Sequence, residues 1–256
     1  MQGDIEEKKK GRKKKRKFGY YLYAIVILLL TVANVTIATL LLTYVQGIEV
    51  KGNAIGEKSE IISWIKEDPM TSNSLYTWWK FNSGTFKLSY PRYVESMEVK
   101  LAAPWKLRVN VQEKRVVGCM LVDNAYVYFD KEGLVLKKQV EYEEGTPLIE
   151  GIQVEDTMLY EYLKVDNQKV FSYIVNLTEE INHHEELHPD RITWEDENMN
   201  LYFEGVRVNL GKSNYGEKVA QLPAVLPSLK DQRGTLRMEH YTSSNKKFSF
   251  EKSIAE

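Results

Sequence analysis

Apolar and polar positions alternate with different periods in different parts of this chain. The longest apolar stretch is Ala24–Val45, AIVILLLTVANVTIATLLLTYV, and no charged residue occurs between Lys17 and Glu49. As a helix it is about 33 Å long at roughly 1.5 Å per residue, against about 30 Å for a bilayer's hydrocarbon core. A helix suits this setting because it satisfies every backbone N–H and C=O internally. Thr31, Thr36, Thr39 and Thr43 lower the hydrophobicity, but their hydroxyls can bond back to the preceding turn, which leaves Asn34 as the costly residue.

Beyond the apolar stretch, period-2 alternation predicts a short strand at Ile48–Lys51 and a hairpin from Met97–Leu101 and Leu107–Val111. Gly52-Asn53 permits a left-handed turn. Between these strands, Ile61, Ile62 and Ile65 form the apolar stripe of a helix capped by Ser59, and Leu75–Phe81 forms a second. Further strands are predicted through Val116–Gly151 and at Ile192–Trp194, Asn200–Phe203, Val206–Leu210 and Thr235–Tyr241. A helix capped by Asp166 runs through Val170, Ile174, Leu177 and Ile181. Tyr215–Lys230 is helical in pattern but is split or kinked by Pro223 and Pro227. Thr242–Glu256 is polar, yet Phe248 and Phe250 alternate with Lys247, Ser249 and Glu251, so it is either a free tail or an extra strand.

Charge gives the apolar stretch a direction. Nine Lys and Arg residues lie between Lys8 and Lys17, and cytoplasmic flanks carry such an excess, so the N-terminus is expected inside and the rest outside. The basic run is expected to be unordered and apposed to anionic headgroups. The apolar run is too long for the core of a cleaved signal and lacks a small-x-small site, which makes it an anchor. Of the 35 Lys and Arg, 26 follow the tail, against 33 of the 36 Asp and Glu. The exported part is therefore mildly acidic, which argues against nucleic acid as a partner. Cys119 stands alone in an apolar strand, so no intrachain disulfide forms and the thiol is expected to be buried.

The order strand, helix, helix, strand, strand carries V-x-G-N at Val50, Gly52 and Asn53. Later come Val99, Pro104, Leu107, Val109, Val111, Glu113 and Lys114. This pattern resembles a POTRA domain, and in particular the membrane-proximal domain of the FtsQ/DivIB family of bacterial division proteins. Y-V-Y-F-D-x-x-G-L-V-L from Tyr126 and T-P-L-I-E-G at Thr146–Gly151 resemble the start of that family's second domain. The expected class is α+β: a transmembrane helix, a POTRA-like β-α-α-β-β domain, and a mixed domain with a largely antiparallel sheet. The expected divisions are a basic tail at 1–19, a transmembrane helix at 20–45, a POTRA-like domain at 46–115, a second domain at 116–241, and a tail or extra strand at 242–256.

The resemblance implies a non-enzymatic scaffold of the division complex at the septum of the cytoplasmic membrane. Its implied partners are FtsL-type and DivIC/FtsB-type single-span proteins, with septal peptidoglycan synthesis recruited and regulated indirectly. It implies a recruitment surface at Ser96, Val99 and Leu101. It also implies a partner-docking edge at Leu236, Arg237, Met238, Glu239, His240 and Tyr241, where Tyr241, Phe248 and Phe250 are expected to bury aromatic area against the partner. The rival for the last site is that Lys246–Glu251 folds back and pairs with this edge itself.

Two other motifs compete for attention. His184-Glu185-Glu186-Leu187-His188 matches H-E-x-x-H, in which two His on one helix face bind zinc and the Glu polarises its water. Pro189 follows at once, so a helix terminus is the plainer reading. Gly211-Lys212-Ser213 ends a strand pattern rather than closing a phosphate loop. No catalytic, cofactor or metal residues are therefore expected. A membrane-anchored zinc peptidase and an unrelated extracytoplasmic sensor or stalk stand as the alternatives.

Overall fold

A computed structural model of the chain describes residues 2–253, with side chains from Tyr20 onward. The chain divides into two compact units, Met1–Pro91 with Ser96–Gln112 and Arg92–Glu95 with Glu113–Glu256.

The first unit begins with α1, Gln2–Leu42. Its stretch Tyr20–Leu42, 23 residues, is long and apolar enough to cross a membrane and buries nothing against the rest of the protein. The helix continues through the basic run expected to be unordered, as Lys and Arg are good helix formers. Inside the apolar stretch the polar side chains turn inward on their own helix. The Thr31, Thr36 and Thr39 hydroxyls donate to the carbonyls four residues back at 2.8 Å, and the Asn34 amide does so at 2.9 Å.

The helix stops three residues short of the expected Val45. Tyr44 bridges to Asn73, the Val45 N–H donates to the Ser72 carbonyl, and the Ser74 N–H donates to that of Thr43. These bonds capture the groups that a further helical turn needs.

Then come β1 (Gly47–Lys51), α2 (Lys58–Lys66), a 3-10 turn at Pro69–Ser72, α3 (Ser74–Asn82), β2 (Val94–Ala103) and β3 (Lys106–Glu113). The sheet order is β1-β3-β2, with β1 parallel to β3, so the β-α-α-β-β order is realised. Ile61, Ile65, Val99, Leu107 and Val109 form its apolar interior. Gly52 (φ +84°) turns the chain where a Cβ would meet the Val111 carbonyl oxygen at 2.2 Å, so no side chain fits. Ser59 does not cap α2: Glu57 occupies that position and the Ser59 hydroxyl binds its carboxylate. Asn73 caps α3 by accepting from the Tyr76 N–H.

The second unit contains β4 (Gly118–Val122), β5 (Ala125–Phe129), β6 (Val135–Gln139), β7 (Leu148–Glu150), β8 (Val154–Asp156), β9 (Lys164–Val165) and α4 (Gln168–Asn182). After them come β10 (Arg191–Glu195), β11 (Asn198–Phe203), β12 (Val206–Gly211), α5 (Tyr215–Val219), α6 (Leu222–Val225), a 3-10 turn at Leu226–Leu229, β13 (Gly234–Arg237) and β14 (Ser249–Lys252). Among the described residues the large sheet runs β14-β13-β12-β11-β10-β7-β4-β5-β6. Its pairs are antiparallel except β4 with β7, β7 with β10, and β12 with β13.

Val170, Phe171, Ile174, Leu177 and Ile181 of α4 join sheet residues such as Ile192, Leu201 and Val208 in one core. Asn167, not Asp166, caps α4 by accepting from the Val170 N–H, while the Asp166 carboxylate takes the Gln153 N–H. Pro223 and Pro227 divide Tyr215–Lys230 as their missing donors require. Cys119 is buried in β4, and burial pushes its thiol up to about 12.

The structure is thus α+β, with one apolar N-terminal helix and mostly antiparallel strand pairing.

Candidate partner-binding edge

The expected docking edge sits at one end of the large sheet. β13 follows β12 in parallel register, with Val208 opposite Leu236 and Asn209 opposite Arg237. It is shorter than the expected Thr235–Tyr241. The Met238 N–H still donates to the Asn209 carbonyl, after which Tyr241 turns back onto the Met238 carbonyl. Beside the end of β13 lies Lys218, a buried side chain on α5. Its ammonium donates to the carbonyls of Leu210 at 2.5 Å, Ser213 at 2.7 Å and Glu239 at 3.2 Å. The Glu239 carbonyl is thus bonded to α5 rather than to a neighbouring strand. Burial pushes the Lys218 pKa down, with Glu239 and Glu217 opposing it, and three carbonyls match the three donors of an ammonium. Glu217 holds the same loop from the other side by accepting the Ser243 N–H at 3.1 Å.

β13 does not offer a free edge. β14 pairs with it antiparallel, Gly234 opposite Lys252 and Leu236 opposite Phe250, so the C-terminal segment folds back. Gly234 permits this approach: a Cβ there would lie 2.2 Å from the Glu251 carbonyl oxygen and 2.8 Å from the Phe250 ring. The Arg237 guanidinium binds Glu251 across the pair at 2.9 Å and Glu239, two residues on in its own segment, at 3.2 Å. These carboxylates, Glu251 first, raise its pKa.

The eight edge residues therefore divide. Leu236, Met238 and Tyr241 belong to the core, so these three are buried within the unit. Arg237, His240 and Phe248 are exposed, and Glu239 and Phe250 are half-buried. Phe248 lies 6.5 Å from the Tyr241 ring, beside an open groove that Arg237, Glu239, His240 and Lys247 also line. Lys218, Glu217 and Gly234 were missed by the sequence reading. Only Gly234 carried a signal there, a glycine opening a strand, which often marks close backbone approach.

The recruitment trio on β2 divides too. Ser96 is exposed, and its hydroxyl lies 3.2 Å from the Gln112 side-chain oxygen. Leu101 is exposed, but Val99 is fully buried in the sheet's core, where alternation places it, and presents no surface.

The H-E-x-x-H residues are not on a helix. α4 ends at Asn182, the His184 N–H closes a turn on the Ile181 carbonyl, and Leu187 is buried between the two histidines. His184 and His188 thus do not stack on one helical face. Among the described residues no group of three His, Cys, Asp or Glu is placed to hold a metal. Gly211 ends β12 at φ +70°, and the Lys212 ammonium engages the Glu197 carboxylate rather than lining a phosphate cradle.

An apolar helix of membrane-spanning length carries an α+β chain that ends in an accessible sheet edge, the make-up of a single-pass membrane protein. The sequence model described as cell division protein FtsQ/DivIB, C-terminal, matches residues 120–241. The chain thus carries an FtsQ/DivIB C-terminal domain over just under half of its length, which supports membership of that family and a role in cell division. No curated protein matches the chain. The match stops at Tyr241, ahead of β14.

Proposed function

We propose that this protein is a non-catalytic scaffold of the bacterial division complex. Its basic N-terminus is cytoplasmic, and the chain beyond the span is extracytoplasmic at the septum. The charge asymmetry across Tyr20–Leu42 supports that direction. Its partners are FtsL-type and DivIC/FtsB-type single-span proteins, through which it recruits and regulates septal peptidoglycan synthesis. Tethering in one membrane raises their effective concentration, so modest interfaces suffice.

One observation carries the reading: among the described residues the large sheet ends at β14, whose outer side has no neighbouring strand. Such an edge offers backbone donors and acceptors to an added strand. The partner's extracytoplasmic segment pairs with β14, and Phe248, Arg237 and His240 select it by side-chain contact. Exposed aromatics are the usual anchors of such interfaces. On β2, Ser96 and Leu101 form a second contact used in recruitment.

The test is affinity of the full chain in lipid nanodiscs for a DivIC/FtsB-type partner. Phe248→Ala is expected to weaken binding at least about tenfold, equivalent to roughly 1.4 kcal/mol. Removal of residues 242–256 is expected to abolish it. Unchanged affinity in both variants overturns the site, and tighter binding after the removal shows that β14 blocks the partner instead. For topology, protease added to wall-stripped cells is expected to digest the chain beyond the span and spare the tail.

A further inference from the structure

We infer that the first unit rests on the bilayer surface through an apolar belt around the exit of α1: Tyr44, Met70, Leu75 and Trp105. The inference depends on Tyr20–Leu42 spanning a membrane, and it holds for either orientation of the chain.

The exit is tied to three neighbouring segments. The Ser74 N–H donates to the Thr43 carbonyl at 2.8 Å, and the Asn73 amide donates to the Thr43 hydroxyl at 2.7 Å. The Val45 N–H donates to the Ser72 carbonyl at 2.8 Å, and the Gln46 N–H to that of Trp105 at 2.9 Å. The Ser74 hydroxyl also binds the Pro104 carbonyl. The Pro69–Ser72 turn, the start of α3 and the β2–β3 turn are therefore fixed to the first residues after the span.

Length sets where that point lies. Twenty-three helical residues extend about 34 Å, slightly more than the roughly 30 Å hydrocarbon core. Leu42 thus reaches the hydrocarbon boundary, and the bonded segments begin within the headgroup layer, which is about 5–8 Å deep on each side. An apolar side chain at that depth trades water for the interface, and Trp and Tyr are the side chains that favour it.

The four side chains have the required character. Each is one or two positions from a residue bonded to the exit, and each is between 42% and 59% exposed. They come from four separate places in the chain, so periodicity gives no sign of them as a group. Leu75 starts an outward stripe on α3 that continues with Trp78 and Trp79. A lipid surface is the one partner that a membrane-spanning helix brings to this location without a second protein.

The full chain, reconstituted in phosphatidylcholine–phosphatidylglycerol vesicles, tests the idea. Single cysteines carrying a nitroxide replace Leu75, Trp105 and, within the span, Leu30. The buried Cys119 thiol stays unlabelled. At positions 75 and 105, accessibility to oxygen relative to a water-soluble nickel chelate is expected to stand several-fold above that of free nitroxide in the same buffer. Values equal to free nitroxide at both positions, with Leu30→Cys reading as hydrocarbon, overturn the belt and leave the span intact. A water-like reading at Leu30→Cys overturns the span and the belt together. Thermal unfolding of each variant, expected unchanged because all three sites are exposed, shows that the labels report on the folded chain.

Discussion

Leu236 and Phe250 lie opposite one another across the β13–β14 ladder, one in the core and the other half-buried over it. Through this pair the chain covers the edge of its own family-matched segment with a strand that lies beyond it. Four outcomes follow from that arrangement and from the polar contacts that support both units.

Gly234→Ala is expected to release β14 and leave the rest of the sheet folded. The added Cβ cannot coexist with the Glu251 carbonyl 2.2 Å away, and that carbonyl belongs to the residue paired with Thr235 in the β13–β14 ladder. Hydrogen exchange in residues 249–252 should rise to that of an unprotected segment, while β10–β12 stay protected. Retained protection at 249–252 contradicts this account of the edge.

Asp130→Ala is expected to destabilise the second unit by about 2–3 kcal/mol. One carboxylate oxygen accepts the N–H groups of Glu132 and Leu134 at 2.8 Å, and the other accepts Lys114 at 2.9 Å. The substitution leaves the buried Leu134 N–H without its side-chain acceptor at the β5–β6 turn. Denaturant unfolding with an unchanged slope measures the loss.

The Asp68–Lys80 pair, 2.8 Å apart, sets an acid limit on the first unit. The Lys80 ammonium, then the Met70 N–H, hold the Asp68 carboxyl below its ordinary value of 3.8. A lowered folded pKa gives a contribution that is complete above 3.8 and is lost as pH falls through the folded value. The effect is about 1 kcal/mol or less for a pair this accessible. NMR titration of the Asp68 carboxyl is expected to show a midpoint below 3.8 that moves up in Lys80→Met.

The purified chain is expected to carry no stoichiometric zinc, and His184→Ala to leave its metal content and unfolding unchanged. The H-E-x-x-H residues occupy a turn rather than the helix that this chemistry needs. Zinc at one equivalent that disappears on His184→Ala would restore the peptidase reading.

The sequence by itself determined what local rules control. Absence of charge over a bilayer's thickness marked the apolar helix, and alternation marked β1–β3 and β10–β12. Pro223 and Pro227 split the helical run after Tyr215 because they lack donors wherever they stand. Motif order pointed to the FtsQ/DivIB family. Local rules misplaced Ser59 and Asp166 as caps: α2 begins with Glu57 in the cap position, and Asn167 rather than Asp166 accepts the Val170 N–H of α4. What only the tertiary structure decided concerns groups far apart in the chain. Val99 and Leu101 alternate alike in sequence, but one faces a packed sheet and the other does not. Lys218 reads as a surface lysine until β12 and the segment after β13 bring three carbonyls to it. Whether β13 is an edge depended on a strand twelve residues further on and on the space left by Gly234. Backbone pairing of that kind depends on the approach of separate segments, which no local periodicity encodes.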